Sequence, residues 1–191
     1  MTTLDDLDWP VRTSRLSLRR ATVDDLEATW SFRRLDPVAR WVGSAPRSLE
    51  DYATSFPDRI ATTLVIELNG TVIGDLMIEV QDGWSQKEVA DRARGSQAEL
   101  GWTMHPDHGG HGYATEAVAE LVRICFEGLG LRRVIAQCFS DNESSWRLME
   151  RLGMRREQHN VRESLHRELG WLDGYGYALL ADEWRQRALQ G

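Results

Sequence analysis

The sequence is poor in cysteine and in basic charge, and it contains no long apolar run. With two cysteines among 191 residues, neither a disulfide framework nor a clustered thiolate metal site is expected, and Cys125 and Cys138 are predicted to be small core residues. Lys and Arg number 23 against 30 Asp and Glu, which argues against a general nucleic-acid binder, because such proteins need basic surface. No apolar run approaches the roughly 18 residues that a membrane span needs.

The composition that remains is typical of a soluble globular protein, with 41% hydrophobic and 28% charged residues. We expect one domain over residues 1–191. The first ten residues, MTTLDDLDWP, lack the basic and then apolar order of a secretory signal, which predicts a cytoplasmic protein. The net charge of -7 would suit a cationic substrate such as an amine, although simple solubility is the usual reason for such a charge.

Apolar periodicity predicts an α/β (α+β) chain with a mixed sheet. The predicted strands are Arg15–Arg19, Leu64–Leu68, Val72–Val80, Gln97–Met104, Val134–Phe139, Met154–Glu163 and Tyr175–Leu180. The predicted helices begin at Thr22, run from Leu49 to Ile60, run from Tyr113 to Phe126, and run from Glu143 to Leu152. Asn69-Gly70 is suited to a tight hairpin turn between the second and third strands.

The segment HPDHGGHGYATEA, from His105 to Ala117, carries three histidines and three glycines. His105, His108 and His111 could bind a metal, but a zinc site needs three or four ligands that converge at about 2 Å. A flexible, glycine-rich segment positions such ligands poorly. The metal hypothesis is therefore the weaker of two.

The stronger hypothesis uses the main chain of the same segment. Gly109, Gly110 and Gly112 permit unusual backbone angles and close approach, and the chain then enters a helix whose first amides have no intrahelical partner. Such a junction can bind a pyrophosphate. The glycine spacing is neither that of a P-loop nor that of the dinucleotide-binding fingerprint. The sequence therefore argues against a nucleoside triphosphate site and against an NAD site.

Several ordered segments resemble the GNAT superfamily of acyl-CoA-dependent N-acetyltransferases, and in particular its branch of ribosomal-protein N-terminal acetyltransferases. They are TSRLSLR from Thr13, ARWVG from Ala39, AELGWTMHPDHGGHGYATEA from Ala98, DNESSWRLMERLGM from Asp141 and WLDGYGYALLADEW from Trp171. The resemblance covers nearly the whole chain. It implies a mixed, mostly antiparallel central sheet with a splayed parallel strand pair and helices on both faces.

The resemblance also implies acetyl-CoA as co-substrate and no metal. The pyrophosphate would bind the amides of Gly110 to Thr115, and the pantetheine arm would pair with Trp102 to Met104 in an opening between that strand and Val134–Phe139. Asn142 would hydrogen-bond this arm, or serve only as a helix cap. The cofactor-binding residues implied are Trp102, Thr103, Met104, Gly109, Gly110, His111, Gly112, Tyr113, Ala114, Thr115, Asn142 and Ser145.

The loop departs from the usual family pattern at three positions. Asp107 stands where Gln or Arg is usual, and we expect its carboxylate to face solvent, since it would repel a phosphate. Gly109 replaces a residue that is often bulky or basic. His111 stands where relatives often carry Lys or Arg, and it could place partial charge near the phosphate or simply be solvent-exposed.

Acetyl transfer from a thioester needs a neutral amine, a polarised carbonyl and a proton for the departing sulfur. Glu99 is the candidate base, acting through water, unless it is merely an exposed or salt-bridged strand residue. Ser145 is a candidate acid, and Tyr177 competes with it, because it matches the family's D-x-x-x-Y spacing from Asp173; Tyr175 is a further competitor. The amide of Thr103 would polarise the carbonyl.

The acceptor is left open by the sequence. Protein N-termini, polyamines, amino acids and aminoglycosides are all amines used across the superfamily. Trp30, Trp41 and Trp171 are candidates to line the acceptor pocket or are simply core. A non-catalytic acyl-CoA-binding or regulatory module of the same fold is the alternative to an enzyme. No nucleic-acid or membrane partner is expected, and a homodimer is compatible with the resemblance.

Overall fold

The structure, a computed structural model, describes residues 2–189 of the chain. Its strands are β1 (Val11–Arg12), β2 (Ser17–Arg20), β3 (Thr63–Leu68), β4 (Thr71–Gln81), β5 (Gln97–Met104), β6 (Arg133–Phe139), β7 (Arg155–His166) and β8 (Gly170–Leu180). Its α-helices are α1 (Leu26–Arg33), α2 (Asp36–Ala39), α3 (Leu49–Ser55), α4 (Pro57–Ile60), α5 (Ala90–Ala93), α6 (Tyr113–Arg123), α7 (Glu143–Arg151) and α8 (Ala181–Ala188).

The eight strands follow the hydrogen-bonded order β1-β2-β3-β4-β5-β6-β8-β7. β5 and β6 run parallel, with Gln97 opposite Arg133 and Glu99 opposite Ile135. The pairs β1–β2, β2–β3, β3–β4, β6–β8 and β7–β8 are antiparallel. This confirms the predicted α/β class with a mixed, mostly antiparallel sheet and one parallel strand pair.

The chain divides into two compact units. The unit that we call N-terminal contains Asp6–Ile78 and Gly101–Leu121, and the unit that we call C-terminal contains residues 2–5, Glu79–Leu100 and residues 122–189. β4, β5 and α6 contribute residues to both. That residues 1–191 form a single domain stays a prediction.

The N-terminal unit is built around the β3–β4 hairpin. Asn69 and Gly70 both adopt positive φ angles, 52° and 81°, as a tight two-residue hairpin turn requires, so this prediction is confirmed. The hydroxyl oxygen of Ser48 caps α3 by accepting a hydrogen bond from the amide nitrogen of Asp51, at a distance of 3.1 Å. The core of this unit is apolar and fully buried, and its members include Leu18, Phe32, Tyr52, Leu64, Ile66, Ile73 and Leu76.

The C-terminal unit packs α7 and the end of the long helix around β6 and β8. The helix that begins at Tyr113 continues beyond α6 as a π-helix, Ile124–Gly128, in which the amide of Leu129 donates to the carbonyl of Ile124. It then ends near Gly130, whose φ is 69°. The buried residues of this unit include Cys125, Val134, Ala136, Leu148, Met149, Ala178 and Leu179.

Several details differ from the sequence predictions. The predicted helix Leu49–Ile60 is two helices, because Pro57 supplies no amide hydrogen to continue the first. The last two strands are longer than predicted. The sequence analysis did not predict the helices Asp36–Ala39 and Ala181–Ala188 or the short strand Val11–Arg12. Cys138 is half-buried and so is not a full core residue, whereas Cys125 is fully buried as predicted.

No helix within residues 2–189 combines the length and the apolar character that a membrane crossing requires.

Candidate active site

The glycine loop lies between β5 and α6 in the N-terminal unit. A short 3-10 turn, Pro106–His108, follows the strand, and the ring nitrogen Nδ1 of His105 accepts the amide of Asp107 at 3.2 Å. Gly110 and Gly112 then adopt φ angles of +77° and +79°, which a side chain would strain. The loop thus needs glycine at these two positions for its shape.

This loop fits a phosphate group through its main chain. α6 spans eleven residues, so the amides of its first turn, at Tyr113, Ala114 and Thr115, have no intrahelical acceptor, and the helix dipole favours negative charge there. The first amide to be satisfied within the helix is that of Glu116, which donates to the carbonyl of Gly112 at 3.0 Å. Gly110 has open space where a side chain would project.

The histidines of the loop contact other rings. His108 lies edge-on to His105, with ring centroids 5.8 Å apart, and His111 stacks on Tyr113 at 5.6 Å. Within residues 2–189, no three His, Cys, Asp or Glu side chains are grouped as a metal site would require. His111 is exposed, and the Asp107 side chain is 87% exposed, which confirms that its carboxylate faces solvent.

A carboxylate of α6 fixes the loop to the segment before β2. One oxygen of Glu116 accepts hydrogen bonds from the hydroxyls of Thr13 (2.5 Å) and Ser14 and from the amide of Arg15, and the other accepts from the Arg15 guanidinium at 2.7 Å. Burial raises the pKa of this carboxyl, but these hydrogen bonds outweigh it and lower the pKa to about 2. Arg15 also donates to the carbonyl of His111 at 3.0 Å and lies over the Tyr113 ring.

A buried ion pair supports the end of β5. The hydroxyl of Thr103 donates to Asp75 at 2.6 Å, and the guanidinium of Arg33 binds the same carboxylate through two nitrogens at 2.6 and 2.7 Å. Asp75 is 2% exposed. Both predicted neighbours of Thr103 on the strand, Trp102 and Met104, are half-buried.

In the C-terminal unit, Asn142 caps α7. Its side-chain oxygen accepts the hydroxyl of Ser144 at 2.9 Å and the amide of Ser145 at 3.4 Å. The cap interpretation of Asn142 is therefore confirmed, and a role toward the pantetheine arm stays a prediction. Glu99 is half-buried, and its side chain makes no hydrogen bond or ion pair with the described residues.

Ser145 lies beside a thiol that the sequence analysis had assigned only to the core. Its side chain hydrogen-bonds Cys138 on β6. Burial raises the pKa of that thiol to about 11, and the Ser145 hydrogen bond and the charge of Arg156 lower it only in part. The thiol is therefore protonated at neutral pH.

Tyr177 is 2% exposed, and its hydroxyl is fully engaged. It donates to the carboxylate of Glu150 at 2.8 Å and accepts from Nε of Arg156 at 2.8 Å. Burial raises the pKa of Tyr177, Arg156 lowers it and Glu150 raises it further. The Arg156 guanidinium also lies 4.1 Å from the centre of the Tyr175 ring.

The three tryptophans proposed for the acceptor pocket differ in surroundings. Trp30 stacks on Tyr52 with ring centroids 5.5 Å apart, and Trp41 lies under the guanidinium of Arg40. Trp171, on β8, is 59% exposed. Of the three, Trp30 belongs to an aromatic cluster, and a pocket role for each stays a prediction.

Within each unit the structure joins the predicted residues to others that the sequence analysis missed. Asp75 and Arg33 lie next to Thr103, and Arg15 and Glu116 hold the glycine loop. Cys138 lies beside Ser145, and Glu150 and Arg156 bind the hydroxyl of Tyr177. For Arg15 and Glu116, the sequence offered one signal: both lie in segments that resemble the family, TSRLSLR and AELGWTMHPDHGGHGYATEA.

The comparisons with known proteins identify the family of the chain. A family model described as the acetyltransferase (GNAT) domain matches residues 15–155. The chain belongs to this family. The predicted N-acetyltransferase identity is thereby confirmed at the level of the family, and the glycine loop, β5 and α7 all lie within the matched residues.

Two curated relatives come from Bacillus subtilis strain 168. The uncharacterized N-acetyltransferase YoaA is 29% identical over 157 residues, which are 77% of this chain and 83% of the relative. The uncharacterized N-acetyltransferase YnaD is 37% identical over 86 residues, which are 45% of this chain and 50% of the relative. The match to YnaD thus spans about half of each protein.

Solved structures share the fold over most of the chain. A GNAT-family acetyltransferase from Bacillus anthracis has a TM-score of 0.77 at 26% identity and covers 91% of this chain and 99% of its own. Mycobacterium smegmatis RimJ in complex with CoA-disulfide has a TM-score of 0.71 at 23% identity over 88% of this chain and 83% of its own. RimL, a ribosomal L7/L12 α-N-protein acetyltransferase in complex with coenzyme A, has a TM-score of 0.74 at 15% identity over 90% of this chain and 97% of its own.

Proposed function

We propose that this chain transfers an acetyl group from acetyl-CoA directly to a primary amine, which is either a protein N-terminus or a small-molecule amine. The proposal depends on the glycine loop. Gly110 and Gly112 have positive φ angles, and the loop is followed directly by α6, whose first amides have no acceptor within the helix. Such amides suit the pyrophosphate of coenzyme A. The presence of coenzyme A in the RimJ and RimL structures supports this use of the fold.

In the proposed step, the amine nitrogen attacks the thioester carbonyl carbon, the carbon–sulfur bond breaks, and coenzyme A leaves as its thiol. The attacking amine must be neutral. An α-amine with a pKa near 8 is about one-tenth neutral at pH 7, whereas a lysine near 10.4 is neutral only about once in 2,500. We assign proton removal to Glu99 through water and carbonyl polarisation to the amide of Thr103.

Two side chains compete to protonate the departing sulfur. Ser145 is supported by the family resemblance, since relatives place a serine at this position near the thioester sulfur. Tyr177 is supported by its raised pKa, which keeps it protonated at neutral pH. Its proton, however, is already donated to Glu150, so transfer would require that bond to break. We therefore favour Ser145.

The test is a thiol-release assay with acetyl-CoA and a panel of amines. For Glu99→Gln we expect kcat to fall about 100-fold, within the range of general acid–base catalysis, with little change in KM for acetyl-CoA. For Ser145→Ala we expect a loss of about tenfold or more, and for Tyr177→Phe a smaller one. If Tyr177 were the acid, kcat would instead decline only above pH 10, where a tyrosine of raised pKa loses its proton, and Tyr177→Phe would lose most activity.

Matched controls are Glu88→Gln and Ser31→Ala, two exposed positions that should keep full turnover. If acetyl-CoA binds tightly but no amine releases thiol, the chain is instead a non-catalytic acyl-CoA-binding module. If the Glu99 and Ser145 variants both keep full turnover, the assigned roles are wrong. The cytoplasmic location, the homodimer and the lack of nucleic-acid and membrane partners stay predictions from the sequence.

A further inference from the structure

A histidine and an aspartate lie in contact on the last two strands, in the C-terminal unit. Nε2 of His159, on β7, is 2.6 Å from a carboxylate oxygen of Asp173, on β8. Hydrogen bonds from His159 and from the amide of Arg162 lower the pKa of this carboxyl, so at neutral pH it is ionised and can only accept. In the neutral imidazole ring, Nε2 therefore carries the hydrogen of this bond, and Nδ1 is the nitrogen that can take up a proton.

The Asp173 carboxylate also holds a distorted part of β7. Its second oxygen accepts the amide of Arg162 at 2.9 Å, and Arg162 has a φ of 49°, a backbone conformation that is uncommon for a residue other than glycine. The register of β7 against β8 shifts here, between Asn160 and Ser164. Such irregularities are concentrated next to active sites, where they change the direction of a side chain. Asp173 thus fixes both the irregular strand and the ring of His159.

Strand pairing places His159 on the same face of the sheet as the contact of Ser145. Tyr175 on β8 is paired with His159 on one side and with Cys138 on the other, and directly paired residues have their side chains on one face. The His159 ring lies edge-on to the Tyr175 ring, with centroids 5.1 Å apart. The Cys138 thiol is in turn hydrogen-bonded to Ser145, the favoured acid. These side chains therefore form one continuous row from β7 to α7.

The ring of His159 is fixed at one nitrogen and accessible at the other. Its side chain is 50% exposed, and Nδ1 has no hydrogen-bond partner among the residues that the structure describes. Other charged side chains of β7 have partners of their own, since Arg156 binds Glu150 of α7 at 3.1 Å and Glu163 accepts a side-chain amide at 3.0 Å. A histidine that a carboxylate orients at one nitrogen, with the other nitrogen free, has the arrangement of a general base.

The proposed reaction requires such a base. The acceptor amine enters as an ammonium ion and ends as a neutral amide, so its nitrogen loses two protons, one before it attacks the thioester carbonyl and one after. The departing sulfur takes up one proton, and the other must reach water. The roles assigned to Glu99 and Ser145 account for the first proton of the nitrogen and for the proton of the sulfur. They leave the second proton of the nitrogen without an acceptor.

We propose that His159 is a further catalytic residue. Its Nδ1 takes the second proton from the acceptor nitrogen after the bond to the carbonyl carbon has formed, while the carbon–sulfur bond breaks, and releases this proton to water. Asp173 is the positioning residue that orients the ring. This inference rests on the proposed function, and it places the acceptor amine beside the β7–β8 pair.

The experiment measures kcat against pH for the wild-type protein and for His159→Gln, at a saturating concentration of an amine that the wild type acetylates. We expect kcat of the variant to be lower by about 100-fold at neutral pH, with KM for acetyl-CoA unchanged. In the wild type, kcat should fall in acid, where histidine becomes protonated between about pH 8 and 5, and the variant should lack this fall. Asp173→Asn should lower kcat at least tenfold, because the ring loses the acceptor that fixes its tautomer.

The matched control is Glu168→Gln, at an exposed position of the same hairpin, which should keep the wild-type kcat and its pH profile. An unchanged kcat or an unchanged pH profile in His159→Gln would overturn the inference. So would a loss of stability or a rise in KM without a change in kcat, because His159 would then have a structural role only.

A second measurement needs no variant. Diethyl pyrocarbonate acylates accessible imidazole rings, and peptide mass spectrometry gives the modified fraction of each histidine. Activity of the wild type should fall in proportion to the modification of His159, and full activity with His159 fully modified would overturn the inference even if His159→Gln failed to fold. If instead the untreated wild type released no thiol with any amine, the proposed function itself would fail.

Discussion

At the scale of single residues, Glu116 is the side chain on which the shape of the phosphate-binding loop depends most. We expect Glu116→Gln to lower the free energy of unfolding by about 1–3 kcal/mol, because a charged acceptor of several hydrogen bonds is replaced by a neutral amide. KM for acetyl-CoA should rise while kcat changes little, since Arg15 would no longer be held against the carbonyl of His111. Denaturant unfolding and steady-state kinetics measure both effects.

The pH dependence of this stabilisation follows from the lowered pKa. Because the Glu116 carboxyl has a pKa of about 2 in the folded chain against an ordinary value of 4.5, its contribution is fully present above about pH 4.5 and is lost as the pH falls toward 2. The difference between wild type and Glu116→Gln should therefore be constant near neutral pH and shrink in acid. A difference that grew in acid would contradict this assignment. Glu88→Gln, at an exposed position, should show no such difference.

Sequence patterns identified residues whose role is local and missed those whose role depends on distant partners. The glycines of the loop and the cap at Asn142 act on their own neighbours in the chain, so local patterns were enough to predict them. Glu116 and Arg15 are separated by 101 positions, and nothing in either segment indicates that the two would meet. The same holds for Arg156, which contacts Tyr177 across the β7–β8 pair.

At the scale of elements, predictions succeeded where periodicity was strong and failed where glycine obscured it. α6 and the β3–β4 hairpin were predicted correctly, because one has a clear apolar stripe and the other a turn signal. β8 was predicted to begin at Tyr175 but begins at Gly170. Its Gly174 and Gly176 are typical of turns in an isolated sequence, yet here they leave room for the side chains of Ser164 and Gln158 on β7.

Gly74 in β4 allows a close approach to the neighbouring strand, and this contact can be tested by substitution. A methyl group added at Gly74 would lie 2.5 Å from the carbonyl oxygen of Thr103, which belongs to the backbone and cannot rotate away. We expect Gly74→Ala to lower the free energy of unfolding by about 1–3 kcal/mol and to raise KM for acetyl-CoA, since Thr103 lies in the segment proposed to pair with the pantetheine arm. Chemical denaturation and thiol-release kinetics measure the two effects.

The matched control for this change is Gly43→Ala, where an added methyl group would meet nothing within 4 Å. It should leave KM unchanged and alter stability by no more than about 1 kcal/mol. If Gly74→Ala behaved like this control, β4 would not approach Thr103 as closely as described.

At the scale of the whole molecule, the amino-acid composition predicts a globular protein but does not indicate how its charged side chains are paired. The net charge of -7 argues against a general nucleic-acid binder, and that expectation stays a prediction. The net charge could not indicate the buried ion pair between Arg33 and Asp75, because a sum over the chain contains no information about which charges are paired.

The prediction that 191 residues form one domain is tested by unfolding with and without acetyl-CoA. The eight tryptophans are divided evenly between the units, with Trp9, Trp30, Trp41 and Trp102 in the N-terminal unit and Trp84, Trp146, Trp171 and Trp184 in the C-terminal unit. If the chain is one domain, tryptophan fluorescence and far-ultraviolet circular dichroism should give a single coincident transition. β4, β5 and α6 contribute to both units, which favours such cooperative unfolding.

Acetyl-CoA at about 100 times its Kd should stabilise the folded chain by about 2.7 kcal/mol, which raises Tm by about 5–10 °C for a protein of this size. In a single domain the whole transition moves by that amount in both signals, because a ligand of any part stabilises all of it. Two separate transitions, of which acetyl-CoA raises only one, would show instead that the units unfold independently. Adenosine, which lacks the pyrophosphate, is the control ligand and should leave Tm almost unchanged, since the loop amides would have no anion to bind.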